Sequence, residues 1–452
     1  MNSRSSILLL FGLFAILLLG VAILSNSILL GDVGDYLSVG KALADILPAK
    51  VRSTHSWFYG LLLSPFLSTF PSLTTAKVVN VFWLFCDALL LYWMTKKKEV
   101  LLLWIFSPVV WYMSIFISPL LPASFLLLLS YYLLQRYEST KRLFYFIVSA
   151  ALLGINTFVW DGVLFVVPLY LFFFFYTKSF KHFFWYALIV VAFASFRFIF
   201  DWYLFQFPLF TLFRVFGGTF LTLTHQGKYA GLAYTLTDYL LYFLIISPVL
   251  FLLWRVSFKQ YGKELGFFLS VFFLFFLNGQ ARYTLIVAPF ALLLLSTVLK
   301  RISLYLHILL SLVLIVFLLT PYFTLSIYDS YEQDLKHIAQ DYPGERFLVG
   351  GPTNSDLYAE LGQLYWGNQI GEFVSYQDYD LWLRNETNFQ SFTYSSHSRY
   401  NNQREVWISF GLATPDHQDY SNLHYLIDSS PTTMLPGFKP LTHYKNLTVF
   451  KH

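Results

Sequence analysis

Apolar runs about as long as a bilayer-crossing helix recur between residues 7 and 321, separated by short loops. Few folds are open to such a chain. Inside lipid every backbone amide must find its partner within the protein, so a run of roughly 20 apolar residues is a helix. Eleven segments are expected, near 7–30, 74–95, 99–117, 120–135, 142–159, 161–177, 182–203, 236–255, 264–279, 281–299 and 302–321. Composition agrees: 57% of the 452 residues are hydrophobic and only 12% charged, about half the charge of an ordinary soluble domain. The 50 Phe and 32 Tyr suit a bilayer core with interfacial aromatic belts. The run from Ile7 to Leu30 is too long for a signal peptide and lacks a small-residue cleavage site, so it reads as a retained helix. Trp57–Phe70 is apolar but short, broken by Pro65 and ended by Pro71, which fits a re-entrant or interfacial helix.

Basic residues set the expected orientation. With Arg4 inside, the inner loops receive Lys96-Lys97-Lys98, Arg136/Lys141/Arg142, Lys178/Lys181, Arg255/Lys259/Lys263 and Lys300/Arg301. The outer loops carry fewer, chiefly Lys41, Lys50, Arg52, Arg214 and Lys228. The chain is thus expected in the cell membrane, multi-pass, with a cytoplasmic amino terminus. The net charge of +5 is spread over short loops, which excludes a nucleic-acid-binding patch. Cys86 is the lone cysteine, so no intramolecular disulfide or cysteine metal cluster forms.

From residue 322 long apolar runs stop. Asp329–Tyr342 has helical spacing at Tyr331, Leu335, Ile338, Ala339 and Tyr342; Arg346–Val349 reads as a strand; Gly350-Gly351-Pro352 turns the chain; and Ser355–Leu364 reads as a second helix. Arg404–Phe410, His424–Ile427 and Leu447–Phe450 read as further strands. The fold class expected is a polytopic α-helical membrane protein of about 11 transmembrane helices, residues 1–321, with a carboxy-terminal extracytoplasmic α/β domain, residues 322–452. The glycosylation acceptor patterns Asn385-Glu386-Thr387 and Asn446-Leu447-Thr448 agree with that placement.

The first outer loop, residues 31–73, opens with Gly31-Asp32-Val33-Gly34-Asp35-Tyr36. A carboxylate at the mouth of a greasy segment can take a proton from an acceptor hydroxyl, and two of them, Asp32 and Asp35, can also hold a divalent metal. A polar turn built on Gly-Asp pairs is the plainer alternative. His55 precedes the interfacial stretch and is a candidate phosphate donor or metal ligand. Lys77 begins the second segment, where an ammonium either snorkels or meets an anionic head group. Arg282-Tyr283 interrupts the apolar stretch 265–295 at its outer end, where a guanidinium needs an anionic partner and suits a phosphate. Arg197 and Asp201, four apart on one helix, are placed to pair. Asp161, Asp87, His225 and Lys228 are weaker candidates. No Walker-type loop, Gly-x-Ser-x-Gly elbow or His-Glu-x-x-His is present, so ATP-driven transport and zinc proteolysis have no support.

Four stretches together resemble the GT-C-type glycosyltransferases of the protein O-mannosyltransferase and aminoarabinose lipid A transferase kind. Gly31-Asp32-x-x-x-Tyr36-x-x-x-Gly40 resembles the start of that family's first outer loop. His55-Ser56-Trp57-Phe58-Tyr59, followed by Ala76-Lys77-Val78-Val79-Asn80, is similar to its His-Pro-Pro-x-Tyr and Ala-Arg-x-x-Asn stretches. Gln280-Ala281-Arg282-Tyr283, running to Pro289-Phe290, resembles its Arg-Tyr-Leu-Leu-Pro-x-x-Pro-Phe. Asp356–Leu361 and Tyr444–Phe450 resemble its outer domain. The resemblance implies a polyprenyl-phosphate (dolichyl or undecaprenyl) sugar donor and an inverting transfer with Asp32 as base. It leaves the acceptor as protein, lipid or glycan. Tyr36 and Tyr283 then join Arg282, Lys77 and His55 around the donor. Here Val33 stands where the family has Glu and the Pro-Pro is missing, so a two-carboxylate or metal site would use Asp35. The alternative is a transporter or flippase of a lipid-linked or anionic solute, which would carry inverted repeats and Gly/Pro-broken helices in matching halves.

Overall fold

The structure, a computed structural model, describes residues 3–25, 36–37, 40, 43–44, 57–70, 73–175, 180–205, 208–209, 211–212, 215–216, 236–277, 281–324, 327–343, 345–349, 372–375, 424–428 and 437–452. The helices, in chain order, are α1 (Ser3–Leu24), α2 (Trp57–Thr69), α3 (Leu73–Thr95), α4 (Lys98–Ile105), α5 (Pro108–Ser114), α6 (Leu120–Thr140), α7 (Leu143–Val159), α8 (Val163–Phe175), α9 (Phe180–Ala194), α10 (Phe196–Phe205), α11 (Leu236–Ile246), α12 (Phe258–Leu277), α13 (Thr284–Val298), α14 (Arg301–Thr324) and α15 (Ile327–Asp341). The strands are β1 (Arg346–Val349), β2 (Glu372–Ser375), β3 (Tyr425–Asp428), β4 (Lys439–His443) and β5 (Thr448–Lys451). Two compact units form: Met1–Ser25, Ala76–Pro208 and Ala233–Thr324 make one, and Asn26–Thr75, Leu209–Leu232 and Leu325–His452 the other.

The first unit is a helical bundle. Each expected apolar segment contains helix, but several are broken. Among the described residues five helices are long and apolar enough to cross a membrane: Ile7–Leu24, Thr74–Thr95, Phe180–Trp202, Ala281–Val298 and Arg301–Phe323. The others are shorter, broken or less apolar, so the eleven expected spans resolve into a multi-pass membrane protein in which five meet the length requirement unaided. Helix α13 is the hub. It packs against α4, α5, α6, α11 and α12, and Thr284–Leu292, Leu294 and Leu295 are buried. A helix apolar all round belongs in such a position. By contrast α14 exposes Ile302, Val316 and Phe317, as a lipid-facing helix does.

Breaks in membrane helices free backbone carbonyls, and the bundle re-satisfies them with side chains. Pro108 opens α5, and the Ser107 N–H turns to the Trp104 carbonyl. The Leu103 carbonyl then meets His307 Nε2 at 3.1 Å. That nitrogen must donate, so His307 Nδ1 accepts from the Ser247 hydroxyl at 2.9 Å. Ser107 Oγ in turn donates to the Ile246 carbonyl at 2.6 Å, at the break after α11. One buried knot therefore joins two interrupted helices to α14. A second polar group lies between α6, α7, α8 and α9. Ser130 Oγ donates to the Ser149 carbonyl (3.0 Å) and Ser149 Oγ to the Ser130 carbonyl (2.7 Å), with the Tyr186 hydroxyl 2.7 Å from Ser149 Oγ. At Gly154 a β-carbon would sit 2.6 Å from the Val190 carbonyl, so glycine lets α7 and α9 backbones touch.

The second unit contains a five-stranded sheet ordered β2-β1-β3-β5-β4. β1 runs parallel to β2 and β3, while β5 runs antiparallel to β3 and β4. Helix α15 realises the expected apolar stripe, with Leu335, Ile338 and Ala339 buried. The Tyr342 ring lies 5.9 Å from that of Phe347 and 5.5 Å from that of Tyr425. β1 has the expected bounds, and β3 and β5 are shifted by one residue. β2 and β4 escaped sequence reading. Ser355–Leu364, Arg404–Phe410 and Asn385 lie outside the described residues. The buried Asp334 carboxylate accepts from the Asn446 and Leu447 amides at 2.6 and 3.0 Å, which fixes the β4–β5 turn. The Thr448 hydroxyl lies 3.0 Å from His443 Nδ1. The acceptor pattern at Asn446 is thus part of a tightly bonded hairpin. Tyr444 donates to Asp341 at 2.7 Å; burial, then that carboxylate, pushes its hydroxyl above the ordinary phenol range.

Candidate functional site

Lys77 lies in the first turns of α3 and is 5% exposed. Its Nζ donates to the Ser25 carbonyl at 2.9 Å and reaches Ser25 Oγ at 3.3 Å. Ser25 directly follows α1, whose carbonyl end carries partial negative charge, so an ammonium there is favoured. The side chain is buried and built into the bundle at the end of α1 rather than extended along the helix toward solvent. One turn on, the buried Asn80 donates Nδ2 to the Phe116 carbonyl at 3.1 Å. The Phe116 ring meets those of Tyr112 (4.9 Å) and Tyr322 (5.4 Å). Asn80 thus ties the start of α3 to the aromatic cluster of Tyr112, Phe116 and Tyr322.

Arg282 sits in the one-turn 3-10 helix Ala281–Tyr283 that leads into α13. Its guanidinium carbon is 5.3 Å from the centre of the Tyr283 ring, a cation–π geometry. The Tyr283 ring lies 5.2 Å from that of Trp160, tilted by 31°. Trp160 closes α7 with extended backbone, its N–H on the Asn156 carbonyl. The indole lies across Gly162, where a β-carbon would be 2.5 Å from its Cζ2. Between them, Asp161 is buried, with Oδ1 3.7 Å from Arg197 Nη1. Arg197 Nε also donates to Asp201 Oδ1 at 3.1 Å. The i,i+4 pair expected from sequence is present, and Asp161 joins it as a second carboxylate. This ion cluster ties the α7–α8 turn to α10.

Tyr36 is buried in the second unit, its ring edge-on to the Tyr59 ring at 5.1 Å. Asp32, Asp35 and His55 lie outside the described residues, as do His225 and Lys228. Asp87 is fully buried on α3 beside Ser124 of α6. Among the described residues no group of three or more His, Cys, Asp or Glu could hold a metal ion. Sequence reasoning passed over Trp160, Tyr112 and Tyr322 as contributors, because contacts between distant segments reveal them.

No sequence-family model and no curated protein sequence matches the chain. Solved structures do. ArnT from Cupriavidus metallidurans in the apo state aligns with a TM-score of 0.62 at 9% identity, covering 99% of this chain and 98% of that one. The same protein bound to undecaprenyl phosphate aligns at 0.66 and 10%, with the same coverage. ArnT is an aminoarabinose lipid A transferase of GT-C fold, and the fold expected from the sequence resemblance is the one this chain has.

Proposed function

We propose that this GT-C-fold protein is a glycosyltransferase that moves a sugar from a polyprenyl phosphate, dolichyl or undecaprenyl, to an acceptor hydroxyl on the outer side of the membrane. The observation that carries this is the fold likeness over the whole chain, which includes ArnT bound to undecaprenyl phosphate. In the reaction the acceptor oxygen attacks the anomeric carbon. The bond from that carbon to the phosphate oxygen breaks, and its electron pair leaves on the polyprenyl phosphate. The acceptor proton passes to Asp32, and a single displacement inverts the centre. Asp35 orients the acceptor. Charge growing on the departing phosphate needs fixed cations. Arg282 leads, oriented by Tyr283, and Lys77, His55 and Tyr36 complete the donor site. No nucleotide is required, in keeping with the missing phosphate loops. The amino terminus is cytoplasmic and residues 322–452 lie outside, facing a protein, lipid or glycan acceptor.

The test is transfer by purified protein in lipid nanodiscs, offered a panel of polyprenyl-phosphate sugars. Asp32→Asn is expected to lower turnover by roughly a thousandfold, within the range for loss of a general base. Wild-type turnover in folded Asp32→Asn would remove Asp32 from the mechanism.

A further inference from the structure

Arg282 is the cation proposed to lead at the lipid phosphate, and a guanidinium serves there best when its long side chain is held in one orientation. An unrestrained arginine loses much rotamer entropy on binding an anion, which subtracts from affinity. The bundle restrains it through three stacked groups. The guanidinium lies over Tyr283, Tyr283 lies against Trp160, and Trp160 lies across Gly162. The turn that carries Trp160 and Gly162 is fixed on two sides. Asn156 Nδ2 donates to the Ala123 carbonyl of α6 at 2.9 Å, and Asp161 pairs with Arg197 of α10. Tyr283 is the residue from which the hub helix α13 starts, so its backbone is anchored to a helix that is mostly buried in the bundle.

We infer that Trp160 is a positioning residue for donor binding: through Tyr283 it holds Arg282 where the lipid phosphate is received, and Gly162 is there to make room for the indole. The inference rests on the proposed role of Arg282. Trp160 is placed to touch neither phosphate nor sugar and takes no part in bond breaking. Its removal should therefore weaken binding of the phosphate-bearing lipid and leave the chemical step alone. A large planar ring is what the position needs, so phenylalanine should retain most of the effect and leucine should not. Gly162→Ala should act like the leucine variant, because its β-carbon would displace the indole.

The test measures undecaprenyl phosphate binding to the full chain in nanodiscs, and KM and kcat with a transferable polyprenyl-phosphate sugar. Trp160→Leu is expected to weaken binding and raise KM about tenfold, the size of one stacked cation–π arrangement, with kcat within about twofold. Trp160→Phe should recover most of the affinity. In a double-mutant cycle, Trp160→Leu should have little further effect once Arg282→Gln is present. Equal losses from Trp160→Leu in both backgrounds, or a loss confined to kcat, would overturn the positioning role while leaving Arg282 as the phosphate cation. Undiminished binding by Arg282→Gln would overturn both. Melting curves of each variant separate these outcomes from misfolding, and Trp160→Phe keeps the question decidable if the leucine variant does not fold.

Discussion

The surroundings of Lys77 and of Arg282 differ in the kind of contact that holds the charge. Lys77 is buried and spends hydrogen bonds on the end of α1, at the Ser25 carbonyl and hydroxyl. Arg282 is half-buried and held by an aromatic face, the Tyr283 ring. A hydrogen bond to a helix end uses an ammonium proton in one direction. A ring face orients a guanidinium plane while leaving the directions of its N–H groups undetermined by the contact. Two cations proposed to serve one phosphate are therefore secured in different ways. The arginine is aligned by a stack of rings, and the lysine is tied to the junction of α1 and α3.

That difference can be broken by substitution. The largest effect is expected from Arg282→Gln, which should weaken undecaprenyl phosphate binding by about a hundredfold, the order of a charge-assisted bidentate contact, while the melting temperature barely moves. Lys77→Met should do something else. It leaves a buried carbonyl at the end of α1 without its donor, so the protein should lose about 2 kcal/mol of stability, seen as a lower thermal midpoint in nanodiscs. An unchanged midpoint for Lys77→Met would mean that the ammonium serves the ligand rather than the helix end, and the contrast would collapse. The smallest effect belongs to Ser25→Ala, which removes the longer 3.3 Å contact and keeps the carbonyl; a loss of about 0.5 kcal/mol is expected. A loss as large as that of Lys77→Met would shift the anchor from the carbonyl to the hydroxyl.

Much of the bundle was legible in the sequence because apolar length and local spacing specify helices. Segment 74–95 is nearly the helix found at Leu73–Thr95, and the stripe Leu335, Ile338, Ala339 is the buried face of α15. The Arg197–Asp201 pair was visible for the same reason, being one turn apart. Asp161 was not assigned to it, because nothing local links residues 161 and 197. His307 drew no notice. Its partner Leu103 lies 204 positions earlier, and the carbonyl it meets is freed by a break at Ser107 that hydropathy does not register. β2 and β4 escaped because they are the two edge strands of the sheet, where pairing on one side overrides weak local preference, and Pro440 within β4 speaks against a strand. At the site, the basic residues were legible as costly charges in greasy surroundings. The aromatic rings that orient Arg282 were not, since Trp and Tyr are ordinary residues of a membrane belt.

The knot at His307 has a consequence for how the chain is made. The ribosome delivers α4 and α11 long before residue 307 exists. Until then the Leu103 carbonyl and the Ser247 hydroxyl have no imidazole to meet, so the joint between the two interrupted helices is completed by a later membrane segment. Nascent chains stalled before α14 should accordingly remain open to thiol labelling at engineered cysteines beside Leu103, and chains stalled after it should be protected. The two interrupted helices, already joined where Ser107 meets the Ile246 carbonyl, thus gain their third partner late in the message.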